Sequence, residues 1–180
     1  RRCISASLSI GISVRPAVCR RPPTACSPVG KQAKGAPLPQ VTISVTPLAG
    51  TCDRINNAHA LDPASLPADS ARGVAAALFE RGVLRFELPD CLVARLAVQF
   101  HGADYSDVDW QWRNYGPLTP GDDTSFDWYT FAGARKVAAD TWELTIDNLE
   151  RGNYRGDGNS ILFVGAPGFV DINVFSDAFE

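Results

Sequence analysis

From Val83 onward the chain alternates apolar and polar residues with a period of two. Leu84, Phe86 and Leu88 alternate with Arg85 and Glu87, and after the Pro89-Asp90 turn Leu92, Ala94, Leu96, Val98 and Phe100 fall on one face. Val108, Trp110 and Trp112 stand opposite Asp107, Asp109, Gln111 and Arg113. The same pattern predicts strands over 126–131, 141–147 (Trp142, Leu144 and Ile146 inward), 161–165 and 169–175 (Val170, Ile172 and Val174 inward). This period sends one set of side chains into a core and the other into water. Six or so strands spaced about ten residues apart, with Gly, Pro and Asp between them, predict an antiparallel β-sandwich or jelly roll. All four tryptophans fall on inward positions of this pattern and provide a large core.

Before Val83 the pattern changes. Thr51 to Pro67 reads as polar and irregular. One short helix is expected near 69–81, capped by Asp69 or Ser70, stopped by Gly82, and apolar along Val74, Ala75, Leu78 and Phe79. Residues 1–40 hold six of the 13 prolines and read as an extended N-terminal arm on a domain at 41–180. Ile10-Gly11-Ile12-Ser13-Val14 precedes Pro16, and Val41-Thr42-Ile43-Ser44-Val45 precedes Pro47. Ile12-Ser13-Val14-x-Pro16 therefore recurs 31 residues later as Ile43-Ser44-Val45-x-Pro47, and a cysteine follows each copy. Each copy reads as a short edge strand, because the following proline cannot donate to a ladder. Such strands add to a sheet, including one on a neighbouring subunit.

Charge sharpens the division. The formal net charge is −3, yet residues 1–40 carry Arg1, Arg2, Arg15, Arg20, Arg21, Lys31 and Lys34 with no acid, a charge of +7. The remaining residues carry 10 basic and 20 acidic side chains, a charge of −10. The acidic part argues against nucleic-acid binding by the domain itself, whereas the arm suits a phosphate-bearing or acidic partner surface. At 180 residues the chain suits one domain plus a tail, needing no metal or disulfide to be stable. No apolar stretch approaches the ~20 residues of a membrane-spanning helix. Cys3, Cys19, Cys26, Cys52 and Cys91 are odd in number and irregular in spacing, so reduced thiols are expected, with one disulfide in the arm as the alternative. There is no methionine, and the chain reads as a processed or truncated product.

Several groups suggest chemistry. Asp104, Asp107 and Asp109, with Gly121-Asp122-Asp123 and Asp157-Gly158-Asn159 elsewhere, resemble oxygen-rich loops that hold calcium. The spacing is not that of an EF-hand, so a solvated turn is the simpler expectation and calcium the alternative. Asp104, Asp107, Asp109 and Glu143 would serve as general acid and base only if two of them faced each other across a cleft. His59 and His101 are the only histidines, and the sequence holds no Gly-x-Ser-x-Gly, His-Glu-x-x-His, P-loop or Gly-x-Gly-x-x-Gly pattern. No enzymatic activity is expected. Arg155-Gly156-Asp157 is a cell-adhesion tripeptide and reads as a hairpin turn. Among Tyr105, Trp110, Trp112, Tyr115, Trp128 and Tyr129, the pair Tyr115 and Tyr129 is the freest to stack on a ligand such as a sugar ring.

Ile12-Ser13-Val14-Arg15-Pro16-Ala17-Val18-Cys19 and Thr42-Ile43-Ser44-Val45-Thr46-Pro47-Leu48-Ala49-Gly50 resemble the short β-repeat arms of some tailed-phage virion structural proteins. The resemblance covers residues 10–19 and 41–50. It implies a virion component, a capsid decoration or tail-associated subunit whose β-sandwich follows an arm, and it transfers no functional residue. The leading expectation is a non-enzymatic assembly protein of a virion, its arm binding neighbouring subunits. The alternatives are a carbohydrate-binding β-sandwich, calcium-dependent or not, which would be secreted, and an organelle-imported β protein with a transit peptide at 1–35.

Overall fold

The computed structural model describes residues 10–13, 40–67, 79–107, 109–119, 121–122, 124–149 and 159–169. Among them, strands β1 (Ile10–Ser13), β2 (Gln40–Gly50), β3 (Asn56–Leu61), β4 (Val83–Leu88), β5 (Cys91–Phe100), β6 (Trp110–Pro117), β7 (Phe126–Thr130), β8 (Ala134–Ala138), β9 (Thr141–Asp147) and β10 (Ile161–Phe169) form two antiparallel sheets. One sheet has the order β1-β2-β5-β9-β8 and the other β3-β4-β10-β6-β7. Each is built the same way, as two pairs of consecutive strands flanking one central strand. β5 lies between the β1–β2 and β8–β9 pairs, and β10 lies between the β3–β4 and β6–β7 pairs. The expected antiparallel β-sandwich is the architecture observed.

The period of two fixes the register. Leu96 faces Val45 on one side and Leu144 on the other, and Ala94 faces Ile146, so the inner positions of three strands align in rows. A one-residue slip would carry every one of them to the wet face. From the second sheet, Leu84, Phe86, Leu88, Trp112, Ile161 and Phe163 pack against these rows. Trp112 sits at the centre, with ring centroids 6.2 Å from Phe100, 5.8 Å from Trp142 and 6.1 Å from Phe163. Each fully buried Leu, Ile or Phe here contributes about 1.5–3 kcal/mol.

The second sheet is covered on both faces. Val83, Trp128, Val164 and Ala166 form a separate apolar cluster on its outer side beneath Phe79, with Leu61, Leu66 and Tyr115 around it. Trp128 stacks on Phe79 at 4.8 Å and donates its indole N–H to the Pro67 carbonyl at 2.8 Å. This corrects the expectation that all four tryptophans face the sandwich interior, because Trp128 belongs to the outer cluster. It also explains why residues 161–168 of β10 are all buried, with no polar alternate positions.

Other expectations differ in detail. The helix near 69–81 falls largely on residues outside the described set, and its last residues, Glu80 and Arg81, lie in a turn before Gly82 at φ 75°. The strand expected at 169–175 lies outside the described residues beyond Phe169. Two unexpected strands, β3 and β8, are sheet edges. β3 (Asn-Asn-Ala-His-Ala-Leu) carries a register shift between Asn56 and His59, and β8 carries Arg135 and Lys136. Polar, irregular edges of this kind discourage pairing with other chains and carry little periodic signal.

The expectation of reduced thiols is also corrected. Cys52 and Cys91 form a disulfide with Cα atoms 4.5 Å apart, where the β2–β3 connection meets the β4–β5 corner. Gly50 at φ 87°, Cys52 at φ 44° and Asp90 at φ 50° turn the chain at this corner. Thr51 and Cys52 both donate main-chain N–H groups to the Asp90 carbonyl. A Cβ on Gly50 would lie 2.7 Å from that carbonyl oxygen, so glycine is required there for space as well as for conformation.

Candidate functional site

The acidic loop between β5 and β6 is closed on itself. Tyr105 is its anchor: 1% exposed, it meets Trp110 and Phe100 edge-on at 4.9 and 5.4 Å. Burial pushes its phenol well above the ordinary tyrosine value. The exposed carboxylates beside it fold back on the main chain. Asp104 accepts from the Ser106 hydroxyl at 2.6 Å and the Ser106 N–H at 3.0 Å, and these bonds lower its pKa. Asp107 accepts from the Asp109 N–H at 3.1 Å. These are Asx-type turns, in which short polar side chains satisfy local backbone donors.

The cation at this loop is supplied by the protein. Lys136 of β8 donates its ammonium to the carbonyl of Tyr105, to that of Asp107 at 2.6 Å and to that of Ser106 at 3.3 Å. The same ammonium lies 6.0 Å from the centre of the Trp142 ring. Three converging carbonyls and an aromatic face suit one ammonium well. Asp104, Asp107 and Asp109, by contrast, do not converge as a ligand set, and no group of three or more His, Cys, Asp or Glu side chains among the described residues could hold a metal. Lys136 could not be singled out from the sequence, since nothing local marks a lone lysine as the partner of a loop 30 residues away.

The aromatic pair does not form a platform. Tyr115 faces outward on the second sheet, half-buried, with ring centroids 5.4 Å from Trp128 and 6.0 Å from Phe126. Tyr129 is 8% exposed and belongs to the sandwich core, on the opposite face. One planar ligand cannot stack on both. Glu143 pairs with Arg135 at 2.8 Å on the outer face of the first sheet. His101 shares a hydrogen bond with the Thr42 hydroxyl at 2.8 Å, and the ring of exposed His59 with the Asn57 carbonyl at 2.6 Å. A recess of about 280 Å³ opens beside the β7–β8 corner, lined by Val93, Thr145, Asp147 and residues 129–133. It falls just below the roughly 300–1,000 Å³ of small-molecule sites, and its one carboxylate, Asp147, already accepts from the Leu149 N–H at 2.9 Å.

Among the described residues the arm contributes β1, and there it is part of the sheet. β1 pairs antiparallel with the start of β2, placing Ile10 opposite Ile43, Gly11 opposite Thr42, Ile12 opposite Val41 and Ser13 opposite Gln40. Ile12 is 5% exposed and belongs to the core cluster. The first copy therefore forms the expected edge strand, with the chain's own β2 as its acceptor, whereas the second copy departs from the expectation: β2 is interior, between β1 and β5, and continues through Pro47, which faces Ala94. Arg1, Arg2, Arg15, Arg20, Arg21, Lys31 and Lys34 lie outside the described residues, as does Arg155-Gly156-Asp157. Compared with known proteins, the chain matches no family model, no curated protein and no solved structure.

Proposed function

We propose that the protein is a non-enzymatic assembly subunit, most economically a virion component, in which the sandwich is the rigid body and the basic arm engages neighbours. The observation that carries this reading is the pairing of β1 with β2. A strand from a region of charge +7 is seated on a domain of charge −10, so the arm is anchored on the sheet edge at residues 10–13, with its cations on either side of that anchor in sequence. Main-chain pairing gives such contacts their strength, and segregated charge gives them direction and salt sensitivity. Asp104 and Asp107 accept hydrogen bonds within their own turns, and Glu143 accepts from Arg135 between β9 and β8.

The Cys52–Cys91 disulfide supports an oxidising setting, such as the surface of a virion or the outside of a cell. It suits a secreted sandwich equally well, which is the second reading. Import with cleavage near residue 35 fits less well, since it would remove Ile12 from the core. The test replaces the seven arm cations with glutamine. The variant is expected to keep the wild-type circular dichroism and to lose co-sedimentation with the native assembly. Undiminished co-sedimentation would refute the arm's role.

A further inference from the structure

β1 and the start of β2 are related in sequence, and in the sheet they are each other's partners. Ile12-Ser13 corresponds to Ile43-Ser44 at an offset of 31 residues, and Gly11, the residue 31 positions before Thr42, is the one that faces Thr42. An antiparallel pair of like segments, registered on equivalent residues, has the geometry of a two-fold contact. If β2 of a second copy replaced β1 in this register, Thr42 would face the copy's Thr42, Val41 its Ile43 and Gln40 its Ser44. The apolar seats would keep their type. Ile12 above Val41 would give way to an isoleucine, and Ile10 above Ile43 to a valine.

The main chain suits the exchange. The Gln40 carbonyl accepts from the His101 N–H at 2.9 Å, on the β5 side. Alternation along an antiparallel strand then directs the main-chain groups of Val41 and Ile43 toward β1. These are the two residues that would pair reciprocally across the two-fold, with the threonines at the closer, non-hydrogen-bonded spacing between them. β1 supplies four paired residues, whereas residues 40–44 of each copy would supply five. Beyond Ile43, β2 runs on to Gly50 with no further strand pairing on its β1 side among the described residues. An edge of this length with apolar seats is a template for another chain unless something covers it.

We propose that the β2 edge is a docking site for β2 of a second copy of this chain, held closed by β1, which imitates the copy's strand. The proposal rests on the assembly reading only for its occasion, namely an arm drawn off toward an acidic neighbour, which would uncover the edge.

The test uses the full chain in sedimentation velocity at micromolar concentrations. Wild type is expected to be monomeric. Ile12→Asp places a carboxylate in the apolar seat and frees the edge, so the variant is expected to sediment as a dimer. Adding Thr42→Lys sets two ammonium groups directly opposite each other across the two-fold, and is expected to weaken that dimer at least tenfold. In the capped monomer the same lysine meets no cation across the strands, facing Gly11 on β1 and Gln99 on β5, and gives up only the exposed Thr42–His101 hydrogen bond. A folded, monomeric Ile12→Asp protein overturns the proposal, as does a dimer indifferent to Thr42→Lys or a wild-type dimer that Thr42→Lys dissociates. Should Ile12→Asp fail to fold, removal of residues 1–13 is read in the same way. If neither form folds, the edge does not exist apart from β1, and the proposal fails. None of these outcomes bears on the seven-cation variant, which tests the arm's own binding.

Discussion

Breaking the Cys52–Cys91 bond should destabilise the sandwich by an amount set by the loop it closes. The cysteines are 39 residues apart, and the segment between them contains β3 and β4. Cross-linking over that distance removes about 13 cal/mol/K of entropy from the unfolded chain, or about 4 kcal/mol at 25 °C. Set against the 5–15 kcal/mol of ordinary domain stability, this is a large share. The folded corner should persist in Cys52→Ala/Cys91→Ala, because Thr51 and Cys52 keep their main-chain bonds to Asp90 and Arg54 keeps its 3.2 Å ion pair with the Asp90 carboxylate. With a urea m-value of about 2 kcal/mol/M, the unfolding midpoint should fall by about 2 M, and the slope should steepen slightly as the unfolded chain expands. Equilibrium urea melts of the double variant and of reduced wild type should agree, since both lose the same constraint. Coincident midpoints for variant and oxidised wild type, or a peptide map joining Cys52 to another cysteine, would refute the reasoning.

Further outcomes follow from packing and burial. A Cβ on Gly165 would lie 2.1 Å from the Asn114 side-chain oxygen and 2.8 Å from the Trp112 indole nitrogen, which are hydrogen-bonded to each other at 2.9 Å. Gly165→Ala should therefore cost about 1–3 kcal/mol in chemical denaturation, and Asn114→Ala in the same chain should return part of the loss; simple additivity of the two would contradict the clash. Lys136→Met removes the ammonium from three carbonyls and should lower stability by about 1–2 kcal/mol while raising amide exchange at Ser106 and Asp107; unchanged exchange would mean that the lysine does not hold the loop. Tyr105 has a folded pKa above its unfolded value of about 10, so its contribution is complete below pH ~10 and is lost as pH rises toward the folded pKa. Ultraviolet titration should find Tyr105 ionising only with alkaline unfolding, and Tyr105→Phe should lower the number of tyrosines that do so by one.

Much of the fold could be read from residue order because most strands have one wet face. β4, β5 and β9 alternate cleanly, and the structure places Thr141–Asp147 where the pattern puts it. Legibility fails where that condition fails. β10 is buried on both sides, so its period vanishes, and Trp128 reads as interior although a connecting segment, not the facing sheet, buries it. β3 and β8 are edges whose side chains, Leu61 and Val137 apart, are polar or small. The disulfide depends on Cα atoms brought to 4.5 Å by the pairing of β2 with β5, where Gly50 faces Cys91, a long-range register that cysteine spacing does not encode. The acidic loop was visible, but its partner Lys136 was not, because their meeting depends on where the β8–β9 hairpin lies. The repeat in residues 10–14 and 41–45 is legible as a pattern, but the pattern does not encode that the two segments pair with each other in the sheet.

The most direct test of that edge is residue-resolved amide hydrogen exchange on the isolated full-length protein. With β1 seated, the Val41 and Ile43 amides should be protected together with those of Ile10 and Ile12, and in Ile12→Asp at concentrations too low for association all of these should become fast. Thr42, whose N–H faces β5, should stay protected in both proteins. Val41 and Ile43 amides that exchange in wild type as fast as those of an unstructured chain would contradict the account, since β1 would then not cover the edge.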